Sequence, residues 1–169
     1  MATDRLIRVP LCDPSDAAGT RLWVRLTIAD GMLRGMRVED APGENRPERL
    51  PNGYADVEQA LVHWGETDGE PFDWTAHPGF PATGTHFQRA VWSALCRLRW
   101  GEWVNYGELA RRAGYPGAAR AVGQAVGANP WAPLVPCHRV LAAGGRLGGY
   151  AQGSAIKSRL LDLEEIAYR

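Results

Sequence analysis

Early in the chain apolar and polar side chains alternate. From Leu6 to Cys12, and again from Arg21 to Ala29, the period is two: Leu22, Val24, Leu26 and Ile28 fall on one face, and Arg21, Arg25 and Thr27 on the other. Such alternation predicts strands with one buried face. Asp30-Gly31 is a hairpin signal, because both central residues of the favoured turn need positive φ, and Met32 to Val38 is the returning strand. An antiparallel meander is expected. The segment 41–53 is rich in proline, glycine and charge and reads as a loop, after which Val57, Leu61 and Trp64 recur at helical spacing. From Gly65 to Gly84 glycines and prolines crowd the chain, marking a link between two subdomains.

Beyond that link the period changes to that of helices. Thr85 and Gln88 form a capping box ahead of Phe87, Val91, Leu95 and Leu98, with Trp92 and Cys96 packing alongside. Gly101 interrupts the pattern. Asn105 with Glu108 caps a second helix bearing Leu109, Ala110 and Ala113, which Gly114 and Pro116 end. A third helix is expected from about Gly117 to Ala128, stopped by Asn129-Pro130, since a residue before proline is pushed out of helical geometry. Two short helices joined by a tight turn read as a helix-turn-helix. The third helix is built almost wholly of small residues around Arg120. It either packs closely on its neighbours, with Val122 and Val126 inward, or brings its backbone close to a nucleic-acid groove with Arg120 projecting. The apolar run Leu134 to Val140 reads as an extended strand, Gly144-Gly145 as a tight return, and a last helix near Ser154 carries Ile156, Leu160 and Leu161 inward. Glu164 lies one turn beyond Leu160.

Composition narrows the class. At 169 residues and 45% hydrophobic content the chain buries an ordinary core, and neither a membrane span nor a signal-peptide pattern is present, so an intracellular, cytoplasmic protein is expected. Its three cysteines, Cys12, Cys96 and Cys137, have no paired spacing, which argues against a disulfide framework and a zinc site. Net charge is zero but unevenly spread. Divided before Thr85, the first part has 8 arginines against 14 acidic residues and the second 11 basic against 5 acidic, giving −6 and +6. A basic second half suits a polyanionic partner.

The chemistry lies in Pro136-Cys137-His138-Arg139-Val140. A thiol is a nucleophile only as thiolate, and a neighbouring imidazole or guanidinium favours that form. A buried, inert cysteine beside a solvated histidine and arginine is the plainer alternative. His63, His77 and His86 show no ligand-like grouping.

Around that string stand Gly84-Thr85-x-Phe87-Gln88, Val91-Trp92, Gly101-Glu102, Tyr106-Gly107-Glu108-Leu109-Ala110, Ala119-Arg120-Ala121-Val122-Gly123, Asn129-Pro130, Gly148-x-Tyr150 and Lys157-x-x-Leu160-Leu161-x-x-Glu164. Together they make residues 84 to 165 similar to the O6-alkylguanine-DNA alkyltransferases. The resemblance implies an α+β protein: an N-terminal subdomain, residues 1–83, with a ribonuclease-H-like antiparallel sheet, and a mostly helical C-terminal domain, residues 84–169, with a winged-helix-like helix-turn-helix and an active-site hairpin. It implies that Cys137 takes the alkyl group from O6 of guanine, and from O4 of thymine, once per molecule and without a cofactor or metal. Adjacent side chains on a strand point to opposite faces, so His138 would act on Cys137 through a water, with Glu164 holding its ring. Tyr106 would protonate the leaving base, and Asn129 would brace the turn before the active-site strand. The partner implied is double-stranded DNA, bound through the minor groove by a monomer with the damaged guanine flipped out. Arg120 would fill the vacated stack, and Ala118, Ala119, Ala121 and Gly123 would let the helix approach. Pro136, Val140, Gly148, Tyr150, Ala151 and Gln152 would form the substrate pocket, with carbonyls near Cys137 and Val140 reading the base.

Three departures from the family pattern stand out. Asn105 replaces a hydroxyl residue before Tyr106, Arg99-Trp100-Gly101 lacks the usual proline, and Ala151-Gln152-Gly153 puts a long side chain where the family has glycine. Gln152 is therefore expected either to narrow the pocket against bulky adducts or to remove a close backbone contact. Two other classes remain open: a lesion-binding protein that recognises the adduct without repairing it, which typically lacks the cysteine, and a cysteine hydrolase using Cys137, His138 and Glu164, which needs an oxyanion hole.

Overall fold

A computed structural model of the chain describes residues 5–11, 22–40, 49–64, 73, 74, 77 and 83–169. Cys12, Arg21, the N-terminal Met1 to Asp4 and most of the expected loop and link segments lie outside the described residues. No helix among the described residues is long and apolar enough to cross a membrane.

The alternating segments form one antiparallel sheet in the order β1 (Arg5–Pro10), β2 (Leu22–Ala29), β3 (Met32–Asp40). Asp30 and Gly31 turn between β2 and β3 with φ of 52° and 72°, the two positive angles a tight hairpin of matching twist requires. Ile7, Val9, Val24, Leu26, Met36 and Val38 share one face because Ile7 pairs with Leu26, Val9 and Val38 with Val24, and Met36 with Leu26. All six are buried. Thr27 pairs with Gly35 and Ile28 with Leu33, leaving Arg34 as the extra residue of a bulge near the hairpin end. Helix α1 (Ala55–Val62) covers the sheet with Val57 and Leu61, and Trp64 follows it, also buried.

The second half is helical. Helix α2 (His86–Cys96) starts with the reciprocal cap read from the sequence: Gln88 N donates to Thr85 Oγ1 at 3.2 Å and Thr85 N to Gln88 Oε1 at 2.8 Å. Just ahead of it Gly84 has φ +76°, and a Cβ there would lie 2.6 Å from the Trp92 ring, so no larger residue fits without displacing Trp92. Strand β4 (Val104–Asn105) leads into α3 (Tyr106–Arg112), where Asn105 Oδ1 accepts from Glu108 N at 2.9 Å. Helix α4 (Ala119–Gly127) turns Val122, Ala125 and Val126 onto α2 and α3, and Trp92 Nε1 donates to Ala125 O at 2.8 Å. Helix α5 (Ser154–Leu163) buries Leu160 and Leu161.

The expected extended strand over Leu134 to Val140 is corrected by the structure. Pro136 has φ −81° and ψ 66°, the centre of an inverse γ-turn closed by Cys137 N to Val135 O at 2.8 Å, and Cys137–Arg139 then forms a 3-10 turn. Proline's fixed φ, the γ-turn bond and the bond from Arg139 N to Pro136 O at 3.0 Å take the backbone out of the strand region. Extended chain resumes only at β5 (Val140–Leu141), which pairs parallel with β4 rather than with a hairpin partner. Of the expected hairpin there remains a single bridge, Ala142 to Arg146, around a second 3-10 turn at Ala143–Gly145.

The two halves pack through the outer edge of β3. Met36 N donates to Pro130 O at 2.6 Å and Val38 N to Gln152 Oε1 at 2.8 Å. Aromatic contacts extend the join, with Trp74 tilted on Trp131 at 5.0 Å and Trp64 edge-on to Trp100 at 4.7 Å.

Candidate active site

Successive side chains of a 3-10 turn point about 120° apart, so Cys137, His138 and Arg139 diverge instead of alternating. Cys137 lines a cleft of about 200 Å³ together with Tyr106, Gly123, Val126, Gly127, Asn129, Gly149, Tyr150, Ala151 and Gln152. His138 and Arg139 turn inward and meet Glu164 at the C-terminal cap of α5. His138 Nε2 lies 2.6 Å from Glu164 Oε1, while Arg139 grips both carboxylate oxygens, Nε to Oε2 at 2.7 Å and Nη2 to Oε1 at 3.0 Å. Gly101 N donates to Oε2 at 3.2 Å, and Arg139 Nη1 donates to Leu98 O at 2.7 Å. The arginine that would sit on a wet strand face is buried.

These contacts set the protonation states. Burial pushes the Glu164 carboxyl up, but the His138 ring and the bidentate Arg139 guanidinium outweigh it and hold Glu164 ionised. Burial, with Arg139 and Lys157 adding to it, holds His138 below the ordinary imidazole value despite Glu164. A neutral ring facing an ionised carboxylate must carry its hydrogen on Nε2, so Nδ1 is an acceptor. Nδ1 is buried and has no hydrogen-bond partner among the described residues. Burial raises the Cys137 thiol, and the Asn129 amide, the Tyr150 hydroxyl and the Lys157 charge pull it part of the way back. The resting sulfur is a neutral thiol. Tyr106 is raised by burial and then by Cys137, so it too keeps its proton. Among the described residues the buried Tyr150 hydroxyl has no nitrogen or oxygen partner, and the Cys137 sulfur is its polar neighbour.

Asn129 spans the turn between α4 and the cysteine segment, Nδ2 donating to Val135 O at 2.8 Å and Oδ1 accepting from Trp131 N at 2.9 Å. On α4, Arg120, Gly123 and Gly127 share a face by their spacing of three and four. Gly123 and Gly127 line the cleft, and the exposed Arg120 stands one turn toward the helix start. Ala118 and Ala119 are half-buried and Ala121 is exposed. Three of the expected pocket residues do not line the cleft. Pro136 is buried as the centre of the γ-turn, Val140 is buried with its carbonyl accepting from Lys157 Nζ at 2.7 Å, and Gly148 turns away at φ +67° beside Ala142.

Sequence reasoning missed several residues. Lys157 is wholly buried and donates to Val140 O, to Leu147 O at 2.5 Å and to Gly149 O at 3.1 Å, which ties the cleft wall to α5. Burial lowers its ammonium to about 8. One signal was available: Lys157 falls three and four residues before Leu160 and Leu161, on the apolar face of its helix. Trp64, from the first half, lies edge-on to His138 at 5.8 Å, and Trp100 sits under the Arg139 guanidinium at 5.9 Å. They roof the ion pair with aromatic surface, and no local spacing announces that.

Residues 86–166 match the family model described as 6-O-methylguanine DNA methyltransferase, DNA binding domain. A methylated-DNA–protein-cysteine methyltransferase of Mycolicibacterium paratuberculosis is 56% identical over 146 residues, covering 82% of this chain and 85% of the relative. One from Methanosarcina mazei is 56% identical over 82 residues, 48% of this chain and 52% of that protein. The chain thus spans about half the length of several curated relatives it matches. Among solved structures, Mycobacterium tuberculosis OGT in complex with DNA superposes with a TM-score of 0.65 at 33% identity, over 94% of this chain and 92% of the other. With a relative of that identity matched over most of both lengths, and an α+β fold shared with it across nearly the whole chain, this chain belongs to the methylated-DNA–protein-cysteine methyltransferase family.

Proposed function

We propose that this protein repairs alkylated DNA by direct reversal, moving the alkyl group from O6 of guanine, and from O4 of thymine, onto Cys137, one group per molecule. The observation that carries the reading is the placement of the Cys137 thiol on the floor of a cleft whose wall is α4, with a neutral His138 fixed by Glu164 behind it. In this mechanism a water links the thiol to Nδ1 of His138, and the thiol proton passes through it to the ring, leaving a thiolate. The sulfur bonds to the alkyl carbon as the carbon–O6 bond breaks, and that electron pair goes to the guanine. Tyr106 gives the base a proton at N3, so neutral guanine departs. A thioether has no acyl carbon for water to attack, so Cys137 is not regenerated.

The target atom is inaccessible inside a duplex, which requires the nucleotide to be flipped into the cleft. We assign α3 and α4 as a helix-turn-helix whose α4 enters the minor groove, Arg120 filling the stack while Ala118, Ala119, Ala121 and Gly123 allow close approach. Supporting this are the +6 charge of the second half and the DNA complex of the M. tuberculosis relative. Residues 1–83 and 84–169 are read as two domains of a monomer working on DNA in the cytoplasm. The test is incubation with duplex DNA containing O6-methylguanine, followed by adduct quantitation and protein mass. Cys137 should gain one methyl group, to at most one equivalent, and Cys137→Ala none. Adduct loss continuing well past one equivalent would overturn the single-use chemistry.

A further inference from the structure

The cleft wall formed by Gly149, Tyr150, Ala151 and Gln152 is bounded by glycines at φ +67° and +100°, Gly148 and Gly153, the kind of residue that tolerates a change of backbone direction. Its inner end is tied down by Lys157, which holds the Leu147 and Gly149 carbonyls, and by Tyr150 against Cys137. The outer end is a turn closed by Gly153 N to Tyr150 O at 3.1 Å. Gly153 O also accepts from Lys157 N at 3.2 Å at the start of α5, and the turn reaches the N-terminal sheet through the hydrogen bond from Val38 N to Gln152 Oε1, 114 positions away in sequence.

Behind this wall lies a second space. A groove of about 390 Å³ between β3 and the end of α4 has Ala151 and Gln152 as one side and Gly35, Met36 and Arg37 among its other residues. Ala151 and Gln152 therefore separate the Cys137 cleft from an open groove, and the wall has room to move outward. Gln152 lines the cleft, but its amide oxygen is engaged by β3, so the side chain is held against the sheet rather than free to swing across the pocket. The bond also answers a need of the strand. Val38 is buried at the outer edge of β3, where an N–H without an acceptor is costly.

We propose that Gln152 is a specificity-determining latch: its bond to the Val38 N–H fixes the cleft wall to the N-terminal sheet and so limits the size of the O6-alkyl group that reaches Cys137. This rests on the alkyl-transfer reading above. The test compares single-turnover rates on duplexes carrying O6-methylguanine or O6-benzylguanine for wild type, Gln152→Met, Gln152→Glu and Gln152→Gly, with amide exchange of Val38 followed by NMR. Methionine keeps the length without an acceptor, and glutamate keeps the acceptor. Gln152→Met and Gln152→Gly should both raise the benzyl-to-methyl rate ratio, by about 3- to 10-fold, the range one hydrogen bond supplies. Both should speed exchange at Val38, while Gln152→Glu stays near wild type on each measure. A raised ratio in Gln152→Gly but not in Gln152→Met would mean bulk sets the limit and overturns the latch, as would Val38 exchange indifferent to the methionine. Wild type that moves no methyl group at all would instead sink the alkyl-transfer reading, and the Val38 exchange would still report on the bond.

Discussion

Arg139 and Glu164 form a two-point ion pair, Nε to Oε2 at 2.7 Å and Nη2 to Oε1 at 3.0 Å, and this pair decides which nitrogen of His138 carries the hydrogen. With Glu164 held as an anion, its Oε1 can only accept, so Nε2 of the neutral ring donates to it and Nδ1 is left basic. Arg139 therefore acts on its neighbour His138 through a carboxylate from another element.

Arg139→Met should destabilise the protein by about 3 to 5 kcal/mol, because it strands the Glu164 charge and the Leu98 carbonyl in the interior. Wild-type Glu164 has a depressed pKa, so its stabilisation is present above the ordinary carboxylate range and is lost as pH falls through the depressed value. In the variant Glu164 takes up a proton more readily. The stability difference from wild type should thus be largest near neutral pH and shrink in acid, as urea titrations at both pH values would read. A difference independent of pH would mean the arginine acts by packing alone.

Glu164→Gln tests the tautomer. The amide can present its NH2 to Nε2, which moves the ring hydrogen to Nδ1 and removes the acceptor to which the proposed mechanism sends the thiol proton. The single-turnover rate should fall on the order of 100-fold, the scale of a lost general base, in protein that still binds duplex DNA. A near-normal rate would show that His138 does not depend on Glu164 for its orientation.

The pH response follows from His138. Its pKa lies below the ordinary 6.5, burial being the main cause, so the alkyl-transfer rate should stay level as pH falls to about that value and decline only beneath it. Stability should move in the same direction. Below 6.5 the unfolded chain takes up a proton at His138 that the native protein refuses, so acidification costs stability there, and the loss of ionised Glu164 adds to it at lower pH. A rate that halves near 6.5 or above it would place the base elsewhere.

Arg120→Ala should slow repair in duplex DNA more than reaction with the free modified base, since only the duplex needs its stack filled. Arg120 is exposed on α4, so its truncation leaves the core packing untouched, and a thermal melt checks that. Equal slowing on both substrates would remove the finger role.

Much of this architecture is legible one segment at a time. The alternation around Leu22 and Met36, the Asp30-Gly31 turn, the Thr85–Gln88 box and the stop at Asn129-Pro130 involve neighbours a few positions apart, and short-range hydrogen bonds and side-chain period settle them. The reactive string was legible as well, since Cys137, His138 and Arg139 adjoin and Glu164 sits at a recognisable spacing from Lys157 and Leu160.

What the string does was not. Leu134 to Val140 has a strand's composition, yet the γ-turn at Pro136 sends Cys137 to the cleft and its two neighbours into the core, where Glu164 is waiting from α5. Arg139 is buried because Leu98 and Glu164 satisfy it, Lys157 because three carbonyls do, and Trp64 covers His138 because, just past α1, it packs against Trp100 of the other half. Gln152 reaches Val38 across 114 positions. A side chain's period tells which face of its own element it occupies. Its partner on another element depends on how those faces dock, and for charged and polar groups that docking decides between solvent and a buried, fully bonded place at the site.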